Sequence, residues 1–123
     1  MPRVLLVEDD DSLGRTLLER LEKDQIDVTW AKTIAEAEAS LARGGWDLTI
    51  VDVKLPDGSG FGLARHIKRT SLTPVMFMTA LNSAENRLEG FEIGADEYLP
   101  KPFHLREFVL RVATRHDLYK VDA

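Results

Sequence analysis

The chain of 123 residues contains no cysteine, which excludes disulfides, thiolate metal ligands and a cysteine nucleophile. No apolar run approaches the ~20 residues needed to span a bilayer, and the apolar residues 4–7 are too few for a signal-peptide core. Basic residues are in the minority, because 16 Lys and Arg oppose 21 Asp and Glu for a net charge of −5. This acidic balance disfavours non-specific binding to nucleic acid or anionic membranes. We therefore expect a cytoplasmic protein that contacts neither directly.

The composition is that of an ordinary soluble globular domain, with 44% hydrophobic and 30% charged residues. The length fits one compact domain and leaves little room for a second. We find no internal linker, repeat or low-complexity tract. One domain is expected over residues 1–118, and residues 119–123 are expected to begin a linker or form a C-terminal tail.

Short β-branched apolar runs alternate with longer patterns of helical spacing. Consecutive apolar residues indicate strands that are buried on both faces, as in a parallel sheet. Strict alternation of five such units predicts an α/β fold, namely a single three-layer (βα)5 domain with a parallel sheet. Right-handed crossovers leave two main strand orders, and with five strands the flavodoxin-like order 2-1-3-4-5 fits better. The runs cover residues 4–7, 28–31, 48–51, 75–78 and 98–99, and the helical patterns cover 12–23, 33–44, 61–69, 83–93 and 105 to about 116.

Side chains that can bind ligands or take part in a reaction follow four of the predicted strands. In a parallel α/β sheet, ligands bind beyond the carboxyl ends of the strands, near the point where the strand order reverses. We therefore expect these residues to converge on one small surface although they are far apart in sequence. They are Glu8, Asp9 and Asp10 after the first strand, Asp52 after the third, Thr79 and Ala80 at the fourth, and Lys101 after the fifth.

The predicted cluster of acids favours a hard divalent cation. Carboxylates brought together repel one another unless a cation neutralises them, and oxygen ligands without His or Cys indicate Mg²⁺ before Ca²⁺. Thr79 and Lys101 supply a hydroxyl and an ammonium group that can hold phosphoryl oxygens. Since a carboxylate can itself attack phosphorus, the set predicts Mg²⁺-assisted phosphoryl transfer onto Asp52.

Each member of this set also has a simpler local explanation. The acids at 8–10 are consistent with a helix N-cap, Asp52 with a turn, Thr79 with a cap and Lys101 with a solvated surface charge. The bond between Lys101 and Pro102 is by base rate trans. The functional interpretation is favoured because every member falls at the carboxyl end of a strand.

With these residues in their order and spacing, the chain resembles the receiver domain of two-component response regulators over essentially its whole length. Each motif is weak alone, but their order and spacing are specific. The matching pieces are Leu6-Val7-Glu8-Asp9-Asp10, Asp47-Leu48 through Asp52, Leu55-Pro56-Asp57-Gly58, Met78-Thr79-Ala80, Gly94-Ala95-Asp96-Glu97-Tyr98 and Lys101-Pro102-Phe103.

The resemblance implies a role for each acidic position. Asp52 corresponds to the phosphoacceptor, which takes a phosphoryl group from a sensor histidine kinase. Asp9 corresponds to a direct Mg²⁺ ligand, Glu8 to an acid acting mainly through metal-bound water, and the backbone carbonyl of Lys54 to the third protein ligand. Asp52 itself completes the set, and Mn²⁺ is expected to substitute for Mg²⁺.

The resemblance also implies a switch around the phosphoryl group. Thr79 corresponds to the hydroxyl that turns toward the phosphoryl group, the backbone N–H of Ala80 to a further donor, and Lys101 to the pairing cation. Tyr98 corresponds to the aromatic residue that rotates inward behind the threonine. The bond preceding Pro102 is expected to be cis.

A dimer face is expected on the fourth helix, fifth strand and fifth helix, as in winged-helix transcriptional regulators. The resemblance therefore implies a phosphorylation-promoted homodimer and a C-terminal output domain. It is incomplete, because a basic family position is Ala113 here; a merely solvated charged face is the alternative. The expected face residues are Arg87, Glu92, Asp96, Glu97 and Arg111.

Three other functions are alternatives to a phosphoryl-accepting domain. An aspartate-nucleophile phosphohydrolase needs an acid two residues after the nucleophile, where this chain has Lys54. A nucleotide or flavin carrier needs a Gly-, Ser- or Thr-rich loop where residues 8–10 are acidic. A phosphorylation-independent interaction module stays open. We expect no enzyme in the usual sense, but a signalling domain that promotes only its own phosphorylation and dephosphorylation.

Overall fold

The computed structural model describes residues 2–113, which form strands and helices in alternation. The predicted last turn of the fifth helix, to residue 116, and the predicted tail at 119–123 lie outside the described residues. No helix among residues 2–113 is long and apolar enough to cross a membrane. In chain order the elements are β1 (Arg3–Val7), α1 (Asp11–Lys23), β2 (Asp27–Ala31), α2 (Ile34–Leu41), β3 (Leu48–Val51), β4 (Lys54–Leu55), β5 (Gly58–Ser59), α3 (Gly60–Thr70), β6 (Val75–Thr79), α4 (Ala84–Ile93), β7 (Glu97–Pro100) and α5 (Leu105–Ala113).

Five parallel strands form the main sheet in the order β2-β1-β3-β6-β7. Numbered among themselves, these strands have the order 2-1-3-4-5, which confirms the predicted flavodoxin-like fold. The central strands β1, β3 and β6 are buried almost throughout, as their unbroken apolar runs indicate. Val7 pairs with Val51, so β1 and β3 end side by side.

The core consists of two apolar clusters, one on each face of the sheet. On one face, α1 and α5 pack through Leu17 and Phe108 against Leu6 and Ile50. On the other, α2 and α3 pack against the opposite side chains of the same strands, with Phe61 edge-on to Phe77 at a centroid distance of 5.1 Å. Helices on both faces give the three layers that the alternation predicts.

A small hairpin occupies the segment that the sequence marks only as rich in turn formers. Its strands β4 and β5 pair antiparallel, and Asp57 lies between them. The Asp57 carboxylate accepts hydrogen bonds from the backbone N–H groups of Ile34 (2.8 Å) and Ala35 (3.1 Å). These hydrogen bonds hold the pKa of Asp57 below its ordinary value, and the bond from Ile34 has the larger effect. The hairpin is thereby tied to the first turn of α2.

Helix α3 begins directly against the loop that carries Asp52. The Gly60 N–H donates to the Val53 carbonyl at 2.7 Å. A Cβ at Gly60 would lie only 2.1 Å from the Asp52 carbonyl oxygen, so only glycine allows this approach. Gly62, two residues later, is exposed, and a Cβ there would meet nothing within 4 Å.

These two glycines give a matched test of the approach. Gly60→Ala is expected to lower the free energy of unfolding by about 1–3 kcal/mol, because the helix and the Asp52 loop must separate. Gly62→Ala is expected to leave it unchanged or raise it by up to ~1 kcal/mol, since alanine is the better helix former. Urea unfolding of both variants measures the difference. Equal stabilities would contradict the close approach of α3 to this loop.

Candidate functional site

Three acids meet at the carboxyl ends of β1 and β3. Glu8, Asp9 and Asp52 each offer a carboxylate oxygen, and these oxygens all lie within 4.8 Å of one another. Glu8 is fully buried and Asp52 nearly so, whereas Asp9 is exposed. The pairing of Val7 with Val51 explains the meeting, because it brings the residues that follow both strands to the same edge. One shared ion is therefore within reach of Asp9 and Asp52.

The donor set fits a hard divalent cation. All three side chains offer carboxylate oxygens, and one of them faces solvent, from which an ion with its waters can enter. Lys54, whose carbonyl is the remaining expected ligand, follows Asp52 closely, and its N–H donates to Asp52 Oδ1 at 3.2 Å. Mg²⁺, which keeps several waters and takes few protein ligands, matches such an open set.

Lys101 joins the two buried acids. Its Nζ lies 2.7 Å from Glu8 Oε1 and 2.8 Å from Asp52 Oδ2. Its backbone N–H donates to the Thr79 carbonyl at 2.8 Å, and the peptide bond between Lys101 and Pro102 is cis. The ammonium group thus neutralises part of the negative charge that the fold concentrates at this edge.

Burial and pairing shift two pKa values in this cluster. Burial raises the pKa of Glu8 to about 7, although hydrogen bonds from Lys101 and the Asp10 N–H act against it. Burial by itself lowers the pKa of Lys101, but hydrogen bonds to Asp52 and Glu8 outweigh it and raise that pKa above its ordinary value. The raised pKa of Glu8 means that burial disfavours its charged form, so the ionised carboxylate needs a cation nearby.

Thr79 and Tyr98 are both hydrogen-bonded to the backbone of Leu81. The buried Thr79 hydroxyl accepts from the Leu81 N–H at 3.2 Å, and the Tyr98 hydroxyl donates to the Leu81 carbonyl. The Tyr98 ring is 4% exposed and packs beside Phe77 and Phe91 at centroid distances of 5.9 and 6.2 Å. The tyrosine side chain thus lies inward here. Exposed Ala80 separates Thr79 from Leu81.

Two of the residues expected on the dimer face pair with each other beside the edge strand β7. Arg111 Nη1 of α5 donates to Glu97 Oε1 of β7 at 2.8 Å. On α4, Arg87 donates to the backbone carbonyl and the side chain of Asn82. These three charged residues lie on the elements where the resemblance places the face.

The other two expected face residues lie toward α3. Asp96 accepts hydrogen bonds from Lys68 Nζ (3.1 Å) and from the Val75 N–H (3.0 Å). Glu92 lines a groove between α3 and α4 together with Arg65. Their contacts within the chain differ from those of Arg87, Glu97 and Arg111. Glu92 lies on the side of α4 that faces α3, and Asp96, in the connection between α4 and β7, is bonded to Lys68 of α3.

Comparison with protein families agrees with this geometry. The model of the response regulator receiver domain matches residues 4–113. The chain therefore belongs to the response regulator receiver domain family, a class of two-component signalling domains.

Individual relatives are transcriptional regulators. The chain is 39% identical over 112 residues to the transcriptional regulatory protein CpxR of Escherichia coli K12, covering 91% of this chain and 48% of that protein. It is 39% identical over 110 residues to the transcriptional activator protein PfeR of Pseudomonas aeruginosa, covering 89% and 36%. The chain thus spans half or less of the length of these curated relatives.

A solved receiver domain resembles the whole chain. The non-phosphorylated HemR receiver domain from Leptospira biflexa shares 48% sequence identity with a TM-score of 0.88, and the match covers 100% of this chain and 98% of that one. This likeness supports both the family and the strand order.

Two residues that hold the site in place, Gly60 and Asp57, lie in the segment rich in turn formers, and the sequence indicated no structural role for either. Gly60 abuts the Asp52 carbonyl, and Asp57 anchors the following hairpin to α2. A Gly at the expected start of a helix gives no sign of what approaches it. An Asp in a turn is ordinary, so neither has a local signal that distinguishes it.

Lys101→Met is expected to lower the free energy of unfolding of the metal-free protein by about 2 kcal/mol or more, because it leaves buried Glu8 and Asp52 without their cation. The exposed Lys23→Met should change it little. Adding Glu8→Gln to Lys101→Met should recover part of the loss above pH 7, where the Glu8 carboxyl would otherwise be ionised. Thermal or urea unfolding measures all three, and a double variant no more stable than Lys101→Met would contradict the charge-pairing argument.

Proposed function

We propose that this chain accepts a phosphoryl group from the phosphohistidine of a sensor histidine kinase onto Asp52 in an Mg²⁺-dependent reaction. The observation that carries the proposal is the meeting of Glu8, Asp9 and Asp52 within reach of one ion, with Lys101 bridging two of them. The simpler explanations of these residues as turn residues or helix caps do not require that distant segments meet.

In the proposed transfer, a carboxylate oxygen of Asp52 attacks phosphorus, and the bond from phosphorus to the histidine nitrogen breaks with its electron pair going to nitrogen. Asp9, Asp52, the Lys54 carbonyl and, through water, Glu8 would hold the Mg²⁺, which would offset the charge of the acids and of the phosphoryl oxygens. Lys101 already lies 2.8 Å from Asp52 and supplies a second positive charge to the product.

The switch follows from the shared backbone of Leu81. In the proposal, the Thr79 hydroxyl and the Ala80 N–H hydrogen-bond the phosphoryl oxygens, and the Thr79 hydroxyl gives up its bond from Leu81. Tyr98 donates to the same residue, so a shift of Leu81 changes what holds the ring beneath α4. The local charge added at Asp52 thereby biases the surface formed by α4, β7 and α5.

The output is proposed to be transcription regulation. The curated relatives are transcriptional regulators about twice as long or more, so we assign residues 1–118 to the receiver and 119–123 to the start of a linker toward a C-terminal output domain. Kinase, receiver and output would act in the cytoplasm. A receiver-like module that works without phosphorylation is the alternative, and incubation with a phosphodonor tests it.

The intact protein is expected to gain the mass of one phosphoryl group when incubated with a small phosphodonor and Mg²⁺. Asp52→Asn should gain none, because the attacking carboxylate is gone. Asp9→Asn should gain little, because a direct metal ligand is lost. Mass spectrometry of the intact protein reads all three.

Addition of a chelator is the matched control, and it should abolish the gain without unfolding the protein. A wild-type chain that stays unmodified with Mg²⁺ and phosphodonor, while folded by circular dichroism, would favour the phosphorylation-independent module. A gain retained in Asp52→Asn would refute the assignment of the acceptor.

Phosphorylation is expected to promote a homodimer through the face formed by α4, β7 and α5. Besides Arg87, Glu97 and Arg111, the two helices of this face expose Leu88 (60%), Phe91 (51%) and Leu110 (59%). Leu110→Glu should keep the phosphorylated protein monomeric at concentrations where wild type dimerises, because an unpaired carboxylate would be buried. Size-exclusion chromatography with light scattering measures the state.

Leu72→Glu is the control for added surface charge. Leu72 is 99% exposed in the turn between α3 and β6, outside this face, so its variant should dimerise like wild type. A Leu110→Glu protein that still dimerises fully would place the interface elsewhere.

A further inference from the structure

The side chain of Trp30, at the end of β2, is bonded to the acidic loop between β1 and α1. Its indole Nε1–H donates to the backbone carbonyl of Glu8 at 2.8 Å. The Glu8 N–H in turn donates to the Ala31 carbonyl at 3.0 Å. Both peptide groups of Glu8 are therefore anchored to β2, one by strand-like pairing and the other by a side chain.

The carbonyl that Trp30 holds belongs to the peptide unit joining Glu8 to Asp9. A fixed peptide plane limits rotation about the backbone on both sides, and hence the directions that the two carboxylates take. On the far side, Asp10 caps α1 by accepting from the Leu13 N–H at 2.9 Å. Exposed Asp9 is thus confined between two anchored neighbours.

Gly14 of α1 provides the room for the indole. A Cβ at this position would lie 2.1 Å from Cζ2 and 2.7 Å from Nε1 of Trp30. Glycine in a helix interior costs up to ~1 kcal/mol relative to alanine, so helix propensity does not explain it. The close packing of the Trp30 indole on α1 explains the glycine at this position.

Lys32 also contacts the indole of Trp30. Its Nζ lies 4.9 Å from the centroid of the Trp30 ring and 2.6 Å from Asp11 Oδ1, at the first residue of α1. The ring is therefore fixed by a hydrogen bond, by the notch at Gly14 and by a cation that also contacts α1.

From these contacts we infer that Trp30 is a positioning residue for the divalent-cation site: its indole N–H fixes the Glu8–Asp9 peptide and so presents Asp9 to the ion together with Asp52. The inference rests on the proposed function, because it assumes that these acids bind the ion. Groups that orient metal ligands by hydrogen bonding contribute to metal affinity without touching the metal.

Calorimetric titration of the unphosphorylated protein with Mg²⁺, without phosphodonor, tests this role. Trp30→Phe keeps an aromatic ring on Gly14 but lacks the N–H, and should bind Mg²⁺ about fivefold more weakly. Trp46→Phe is the matched control. The indole N–H of Trp46, in the loop before β3, donates to the Ser40 carbonyl in α2, and its loss should leave Mg²⁺ affinity unchanged.

Two further variants separate positioning from stability. Gly14→Ala should also weaken Mg²⁺ binding, because it displaces the indole although alanine favours the helix. In a Trp46→Phe background, replacing the remaining tryptophan by benzothienylalanine exchanges the N–H for sulfur at nearly constant shape, and should reproduce the fivefold loss. Urea unfolding of each metal-free variant identifies any effect on stability.

The outcomes distinguish this inference from the proposed function. A wild-type chain that binds no Mg²⁺ would overturn both. Wild type that binds Mg²⁺, with Asp9→Asn strongly impaired but Trp30→Phe and the benzothienylalanine protein equal to wild type, would overturn the positioning role alone. Loss in both indole-deficient proteins, with Trp46→Phe unaffected, supports it.

Discussion

Negative charge held in a confined space is the constraint on which the rest of this structure depends. Adjacent parallel strands end together, so Glu8 and Asp52 are buried side by side with Asp9 at the rim. Burying such charges is costly unless a cation compensates them. Lys101, far along the chain, supplies one positive charge, and a divalent ion bound by the same acids would supply more. The phosphoryl group proposed at Asp52 would change this balance at its centre.

The remainder of the fold holds the loops that carry these groups. Gly60 lets α3 begin against the Asp52 carbonyl, Asp57 ties the next hairpin to α2, and Trp30 anchors the loop that carries Glu8 and Asp9. Each contact joins the end of one strand to a different neighbouring element. A site assembled from separate segments needs such ties, because errors of about 1 Å in position weaken binding and transfer steeply.

The contacts of Leu81 offer a route by which a charge added at Asp52 would alter the packing of Tyr98 and of the surface beyond it. Thr79 and Tyr98 share this residue, one through its N–H and the other through its carbonyl. Tyr98 also packs against Phe77 of β6 and Phe91 of α4. Packed aromatic groups do not deform continuously, so a small displacement favours a discrete rearrangement. The edge strand β7, with Glu97 paired to Arg111 of α5, lies where such a rearrangement would reach the surface.

The sequence by itself determined the α/β fold class and the identity of the acidic cluster, and it favoured the strand order that the structure has. Unbroken apolar runs require strands covered on both faces, and their alternation with helices leaves few topologies, each of which places residues 8–9 and 52 at one edge. It also predicted Lys101 and Thr79 at that edge. Only the tertiary structure decided which groups those residues contact, that Glu92 and Asp96 turn toward α3, and that Trp30 bonds the Glu8 carbonyl. The physical reason is that periodicity fixes which face a residue occupies, whereas a hydrogen-bond partner depends on the packing of elements distant in sequence.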